Sequence, residues 1–382
     1  GTAALAIAFL LRFGGLTYPQ FLTSDLLLHV HYVQRVLAGE WLFTGLLPDG
    51  TPVPYPPALY VLVAPLAGLL GSSDQTVSLI LKWTVSALDS LTCLGLAWSG
   101  SRLASGLVGG LAALLYAVLP GAFELMSAGN YSNLFAQSVL NLTLLGGLVY
   151  VSNGAWSGGN RAFVTGSLAL GFFLTMLGHY GMMLSALAIM VIFTVLSVWS
   201  AARGKDNRHA LSLIAAYMGT FAVAVAVYYV RYSAEIAAQF GSLFERLLAR
   251  GQAPAGEQSP GPVEPIEARY GRKLARLVGV MSMLLATFSV ALTGRLPMST
   301  RHLLASWLAA SGIFFILDQT LGDAIRWYYL AAAPIAFLGA LYLSRLALRG
   351  KAARLLCMLA LASALLHVLD IWVGDLIFTR YH

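Results

Sequence analysis

A chain of 382 residues that is 58% hydrophobic and only 10% charged, with a mean hydropathy of +0.76, is excluded from the water-soluble globular class, where charged residues make up about a quarter. Apolar runs recur from end to end, so one integral membrane domain covering 1–382 is expected, with no second globular domain and no nucleic-acid partner. The net charge of +7 is useful through its placement in loops, which reports sidedness.

In chain order, the runs that suit membrane spans are residues 1–16, 78–99, 106–120, 134–151, 162–178, 180–199, 210–230, 276–293, 302–317, 327–344 and 355–373, which makes eleven crossings. The expected fold class is therefore all-α, a polytopic membrane protein with juxtamembrane helices in its first external loop. The first run starts at Gly1 in mid-hydrophobic sequence and is expected to be a real but truncated span; it is not read as a signal peptide because no small-residue cleavage site follows. A further apolar piece, 57–71, is broken by Pro65 and is shorter than the roughly 20 residues a helix needs to cross. It is read as re-entrant or interfacial. With that choice one side collects Arg102, Arg161, Arg203, Lys205, Arg208, Arg295, Arg301, Arg345, Arg349, Lys351 and Arg354, with Asp206 as its single acid. Short cytoplasmic loops gather Lys and Arg, so a multi-pass protein of the cell membrane with a cytoplasmic N-terminus and an external C-terminus is expected.

The external face then owns a first loop at 17–77, a second at 121–133, a turn at His179-Tyr180, a long loop at 231–275 and a turn at 318–326. The long loop opens with an amphipathic piece from Arg231 to Arg250, suited to a helix lying in the interface. A Pro- and Gly-rich stretch follows at 252–262, read either as a lid or as a tolerated surface insertion. Cys93 and Cys357 lie inside apolar runs, where a thiol behaves as a small hydrophobe.

Asp25 is an isolated carboxylate placed just outside a span, at the head of a helical run from Leu26 to Leu37, in a chain with few acids. Two readings stand: a helix N-cap or a catalytic base. His29, four residues on, shares its helix face and can bind a sugar hydroxyl, a metal or a phosphate, or pair with Asp25. Asp89 lies in mid-span, where a charge is costly unless paired; Lys82, two turns earlier on the same face, is its expected partner. His367 and Asp370 are read as a structural i, i+3 pair. No phosphate loop, CxxC or HExxH is present.

Taken in order, Asp25 with its short helix, Tyr55-Pro56-Pro57, Ser101-Arg102-Leu103 opening a span that ends Leu119-Pro120, and Ser127-Ala128-Gly129-Asn130-Tyr131-Ser132-Asn133 resemble the GT-C superfamily of membrane glycosyltransferases. The loop order resembles the protein O-mannosyltransferase branch, and residues 127–133 resemble the second-loop segment of oligosaccharyltransferases. The resemblance covers residues 17–150 and is topological beyond. It implies an inverting transfer of a sugar from a polyprenyl-phosphate donor on the external face, with Asp25 deprotonating or orienting the acceptor. Because phosphate is a good leaving group, one base and one positive charge suffice.

For that charge, Arg326, beside Tyr328 at the mouth of a late span, offers a fork matching phosphate oxygens; a snorkelling Arg in an aromatic belt is the bland alternative. Arg269, at the end of the long loop, is a second candidate. Tyr55, Glu124, Asn130, Tyr131 and His179 are expected around the cavity, His179 between glycines that permit close approach. Oligosaccharyltransferases carry metal-holding acids in the second loop where this chain has Asn130, Tyr131, Ser132 and Asn133, so no resident metal or other cofactor is expected. Expected partners are the lipid-linked donor, membrane lipids and protein subunits of a membrane complex. The rival reading is a catalytically silent structural or lipid-binding subunit. A secondary transporter would show an inverted repeat, which the sequence lacks.

Overall fold

The computed structural model describes residues 1–17, 25–46, 50, 52–119, 129–152, 158–252, 290–321 and 329–378. Among them are thirteen α-helices: α1 (Thr2–Leu16), α2 (Leu26–Leu37), α3 (Ala58–Leu70), α4 (Asp74–Leu103), α5 (Gly106–Ala117), α6 (Tyr131–Ser152), α7 (Gly158–Met176), α8 (Tyr180–Ala201), α9 (Arg208–Val227), α10 (Ser233–Gln252), α11 (Met298–Leu321), α12 (Ala332–Ala347) and α13 (Lys351–Phe378). The two short strands β1 (Thr44–Leu46) and β2 (Pro52–Pro54) pair antiparallel, with Gly45 opposite Val53. Helices suit a lipid-embedded chain because each satisfies its backbone polar groups within its own segment.

Seven segments are long and apolar enough to cross a membrane: α4, α6, α8, α9, α11, α12 with the turn that precedes it, and α13. The helices α1, α3 and α5 are apolar but shorter. α3 carries Pro65 inside 13 residues, about 20 Å of helix against the ~30 Å hydrocarbon core. The expected crossing at 276–293 falls mostly outside the described residues, so the eleven crossings are matched in kind and not in number. Ser101-Arg102-Leu103 does not open a span. It is the last turn of α4, and the next helix starts from Ser105, whose side chain accepts from the Val108 backbone N–H.

α6 is the central helix, with 83% of its spanning window buried, whereas α13 is peripheral at 11%. α4 packs on α1, α5 and α6, α12 lies against α5, and α11 against α8 and α6. The C-terminal helix closes on the first through Trp372, whose Nε1–H donates to the Leu11 carbonyl at 2.8 Å.

The mid-span acid Asp89 is not paired with Lys82, which instead donates to the Leu16 carbonyl at 2.8 Å. Its partner is Arg12 of α1, and the hydroxyls of Tyr116 (2.7 Å), Tyr329 (3.0 Å) and Ser138 (3.3 Å) also donate to it. Both charged residues are buried. Five elements thus meet on one carboxylate, which compensates a charge that would otherwise be prohibitive at this depth. Nor do His367 and Asp370 form the expected pair: no ion pair joins them, and His367 Nε2 has no hydrogen-bond partner among the described residues.

Candidate active site

At one end of the bundle the first loop, the second loop and the α7–α8 turn converge. α2 lies against α3, α4 and α6, and its buried face presents His29, Val30, Tyr32 and Val33. The His29 ring is 1% exposed. Its Nε2 stands 2.7 Å from the Gly129 carbonyl, and its Nδ1 stands 2.8 Å from the Tyr60 hydroxyl. A carbonyl only accepts, so Nε2 carries the proton and Nδ1 accepts from Tyr60. Both nitrogens are satisfied in the neutral ring, and burial lowers its pKa from the ordinary 6.5 to about 4, against smaller opposing effects of the Gly129 bond and of Asp25. The ring is sandwiched by Tyr131 (5.4 Å between centroids) and Tyr60 (5.9 Å).

Asp25 precedes α2 in the N-cap position, but its side chain makes no capping hydrogen bond, and it forms no ion pair among the described residues. The cap reading is therefore corrected: the half-buried carboxylate is not used to hold the helix. It is placed by Gly129, whose φ of +75° is a backbone state that suits glycine. A Cβ added at position 129 would stand 2.9 Å from the Asp25 backbone nitrogen and 3.0 Å from its Cβ. The second loop thus abuts the acid directly, while His29 ties the same carbonyl to α2.

Tyr55 extends this cluster. Its hydroxyl lies 3.3 Å from Ser132 Oγ, and its ring stacks on Tyr32 at 4.6 Å. Asn130 is half-buried between Gly129 and Tyr131, and Tyr131 is fully buried behind His29. His179 stands at the same end, because the Ala58 N–H donates to the Leu177 carbonyl at 2.8 Å. There its Nδ1 accepts from the Gly181 N–H at 3.1 Å as the N-cap of α8. The glycine before it serves packing: a Cβ at Gly178 would meet Ala136 and Phe135 of α6 within 3 Å. Glu124, Arg269, Arg326 and Tyr328 lie outside the described residues. The long-loop helix α10 is present as expected and packs on β2.

Sequence reasoning missed the roles of Tyr60 and Gly129, and missed Arg12 altogether. Arg12 carried a signal, since a lone base inside an apolar run marks an intramembrane partner or pathway. For divalent metal, the described residues near Asp25 offer a poor donor set, because both nitrogens of His29 are occupied and no second carboxylate is among them. Two cavities stand out elsewhere: a groove of 440 Å³ lined by Trp98, Leu142, Phe163 and Leu170 among others, and one of 330 Å³ lined by Arg295, Arg345 and Ser105.

The fold is that of a polytopic helical membrane protein, as the GT-C resemblance implied. No protein-family profile and no curated protein matches the chain. Solved structures do: the archaeal oligosaccharyltransferase AglB from Archaeoglobus fulgidus, in complex with an inhibitory peptide and a dolichol-phosphate, has a TM-score of 0.66 at 16% identity, covering 98% of this chain and 55% of that one. ArnT from Cupriavidus metallidurans bound to undecaprenyl phosphate has a TM-score of 0.59 at 14% identity, covering 100% and 65%. The same oligosaccharyltransferase in complex with Zn and sulfate gives 0.63 at 15%, covering 97% and 52%. The likeness is one of fold, and the chain spans between half and two thirds of the length of these relatives.

Proposed function

We propose that this protein is a membrane glycosyltransferase that moves a hexosyl or pentosyl unit from a polyprenyl-phosphate donor to an acceptor on the extracytoplasmic face, with inversion. The observation that carries the reading is Asp25: a half-buried carboxylate that makes no capping hydrogen bond and no ion pair among the described residues, abutted by Gly129 and standing where the first two loops meet. A carboxylate held this way is suited to take or orient the acceptor proton while phosphate departs without an acid. Solved GT-C-fold proteins bound to dolichol-phosphate and undecaprenyl phosphate support a lipid-phosphate donor.

In this reading Arg326 receives the departing phosphate, with Arg269 as the second candidate. Tyr55 and Asn130 contact the substrates, and His29 and Tyr131 hold the loop that positions the acid. Glu124, His179 and Tyr328 complete the surroundings. The test is transfer from labelled polyprenyl-phosphate sugars by the purified protein. Asp25→Asn is expected to abolish transfer, a loss of at least about a thousandfold, with unchanged thermal stability. Full activity in that variant overturns the assignment, and an inert parent favours the silent-subunit reading.

A further inference from the structure

Asn133, Gln137 and Asn141 follow one another at four-residue spacing along α6 and so lie in one stripe on its surface. All three are fully buried. Among the described residues both amide atoms of Asn133 and both of Gln137 have no hydrogen-bond partner, and neither does Asn141 Oδ1, although Asn141 Nδ2 donates to the Tyr116 hydroxyl at 3.4 Å. A buried carboxamide without partners costs about 1–3 kcal/mol, and in a bundle of this kind leucine at these places would pack at no such cost. The stripe begins one turn below Gly129-Tyr131, which brace Asp25, and ends at Tyr116, whose hydroxyl is 2.7 Å from that of Tyr329. It therefore runs from the acid toward the turn that follows the Arg326 segment in sequence.

The chemistry of the stripe selects its ligand. Carboxamides are neutral and present donors and acceptors together, the complement of vicinal hydroxyls. Of the described cations within the bundle, Arg12 is neutralised by Asp89 and Lys82 donates to the Leu16 carbonyl, so the stripe itself carries no charge with which to hold a phosphate. We propose that Asn133 and Gln137 bind the hydroxyls of the donor's sugar ring, and so set which sugar is taken. This rests on the glycosyltransferase reading and deepens it. Both amides are sealed from bulk solvent, so water competes poorly for the bonds they make to a sugar.

The test uses the full chain in nanodiscs with the near-isosteric variants Gln137→Met and Asn133→Leu. Each is measured for thermal stability and for affinity toward labelled polyprenyl-phosphate hexoses and pentoses and toward sugar-free polyprenyl phosphate. Stability is expected to hold or rise, affinity for the preferred sugar-bearing lipid to fall at least tenfold, and affinity for the sugar-free lipid to change less than twofold. Equal losses for both lipids, or unchanged sugar-dependent affinity in both variants, would overturn the proposal, the latter whether or not stability falls, because the amides then serve packing or bind structural water only. A parent that binds the sugar through these residues yet transfers nothing would defeat the enzymatic reading and leave this one standing.

Discussion

Gly129 illustrates how one residue without a side chain fixes the position of another with a charge. Any larger residue there faces both a left-handed φ and a contact with Asp25 near 3 Å. Gly129→Ala is therefore expected to cost about 1–2 kcal/mol of stability and to lose most transfer activity, as read by thermal unfolding and by the labelled-lipid assay. His29 adds a pH dependence with a defined sign. Its ring is neutral in the fold down to about pH 4, whereas the ordinary value is 6.5, so the unfolded chain binds the extra proton first. Stability from this residue is complete above about pH 6.5 and drains away as pH falls toward 4, by on the order of 3 kcal/mol. Unfolding midpoints measured across that window should drop in the parent and stay flatter in His29→Gln, once the parent's other acid-sensitive groups are subtracted. The same-face rule placed Asp25 and His29 together from sequence, but the ring's partner, Gly129, lies a hundred positions away, a distance that no local pattern spans.

At the scale of elements, the buried Arg12–Asp89 pair joins α1, α4, α5, α6 and the turn before α12. Removing one member leaves an uncompensated charge in the core and costs roughly 3–5 kcal/mol, whereas removing both for apolar residues is close to neutral. Arg12→Met and Asp89→Leu are each expected to lower the unfolding temperature sharply, and the double variant to recover most of the loss. Additive losses would contradict the pairing. The sequence pointed to Lys82 because it sat two turns from Asp89 on one helix, yet Lys82 reaches along α4 to cap the end of α1. Pairing between helices is decided by packing, and packing leaves no trace in spacing along one chain. Amphipathic α10 and the short, proline-broken α3 were legible because period and length are local properties.

For the whole molecule, the fold was legible because hydrocarbon thickness dictates helix length and closes off other architectures. Sidedness is an expectation from charge: the loop holding Arg203, Lys205, Asp206 and Arg208 is expected to face the cytoplasm, and the β1–β2 pair the other side. Asp206 and Leu46 are both exposed, while Cys93 and Cys357 are buried, so single introduced thiols dominate labelling. An impermeant thiol reagent is expected to modify Leu46→Cys on intact cells and Asp206→Cys only after permeabilisation; the reverse pattern would invert the topology. Asp25, the proposed base, stood out in the sequence by its isolation, whereas the groups that abut it did not, since they come from separate loops.

The most direct measurement of the central claim is an experimental density map of the protein bound to a polyprenyl-phosphate sugar. The account predicts the sugar headgroup within hydrogen-bonding reach of Asp25, with its lipid tail leaving between helices toward the bilayer. A headgroup bound at the arginine-rich opposite end, or protein side chains filling the space in front of Asp25, would contradict it.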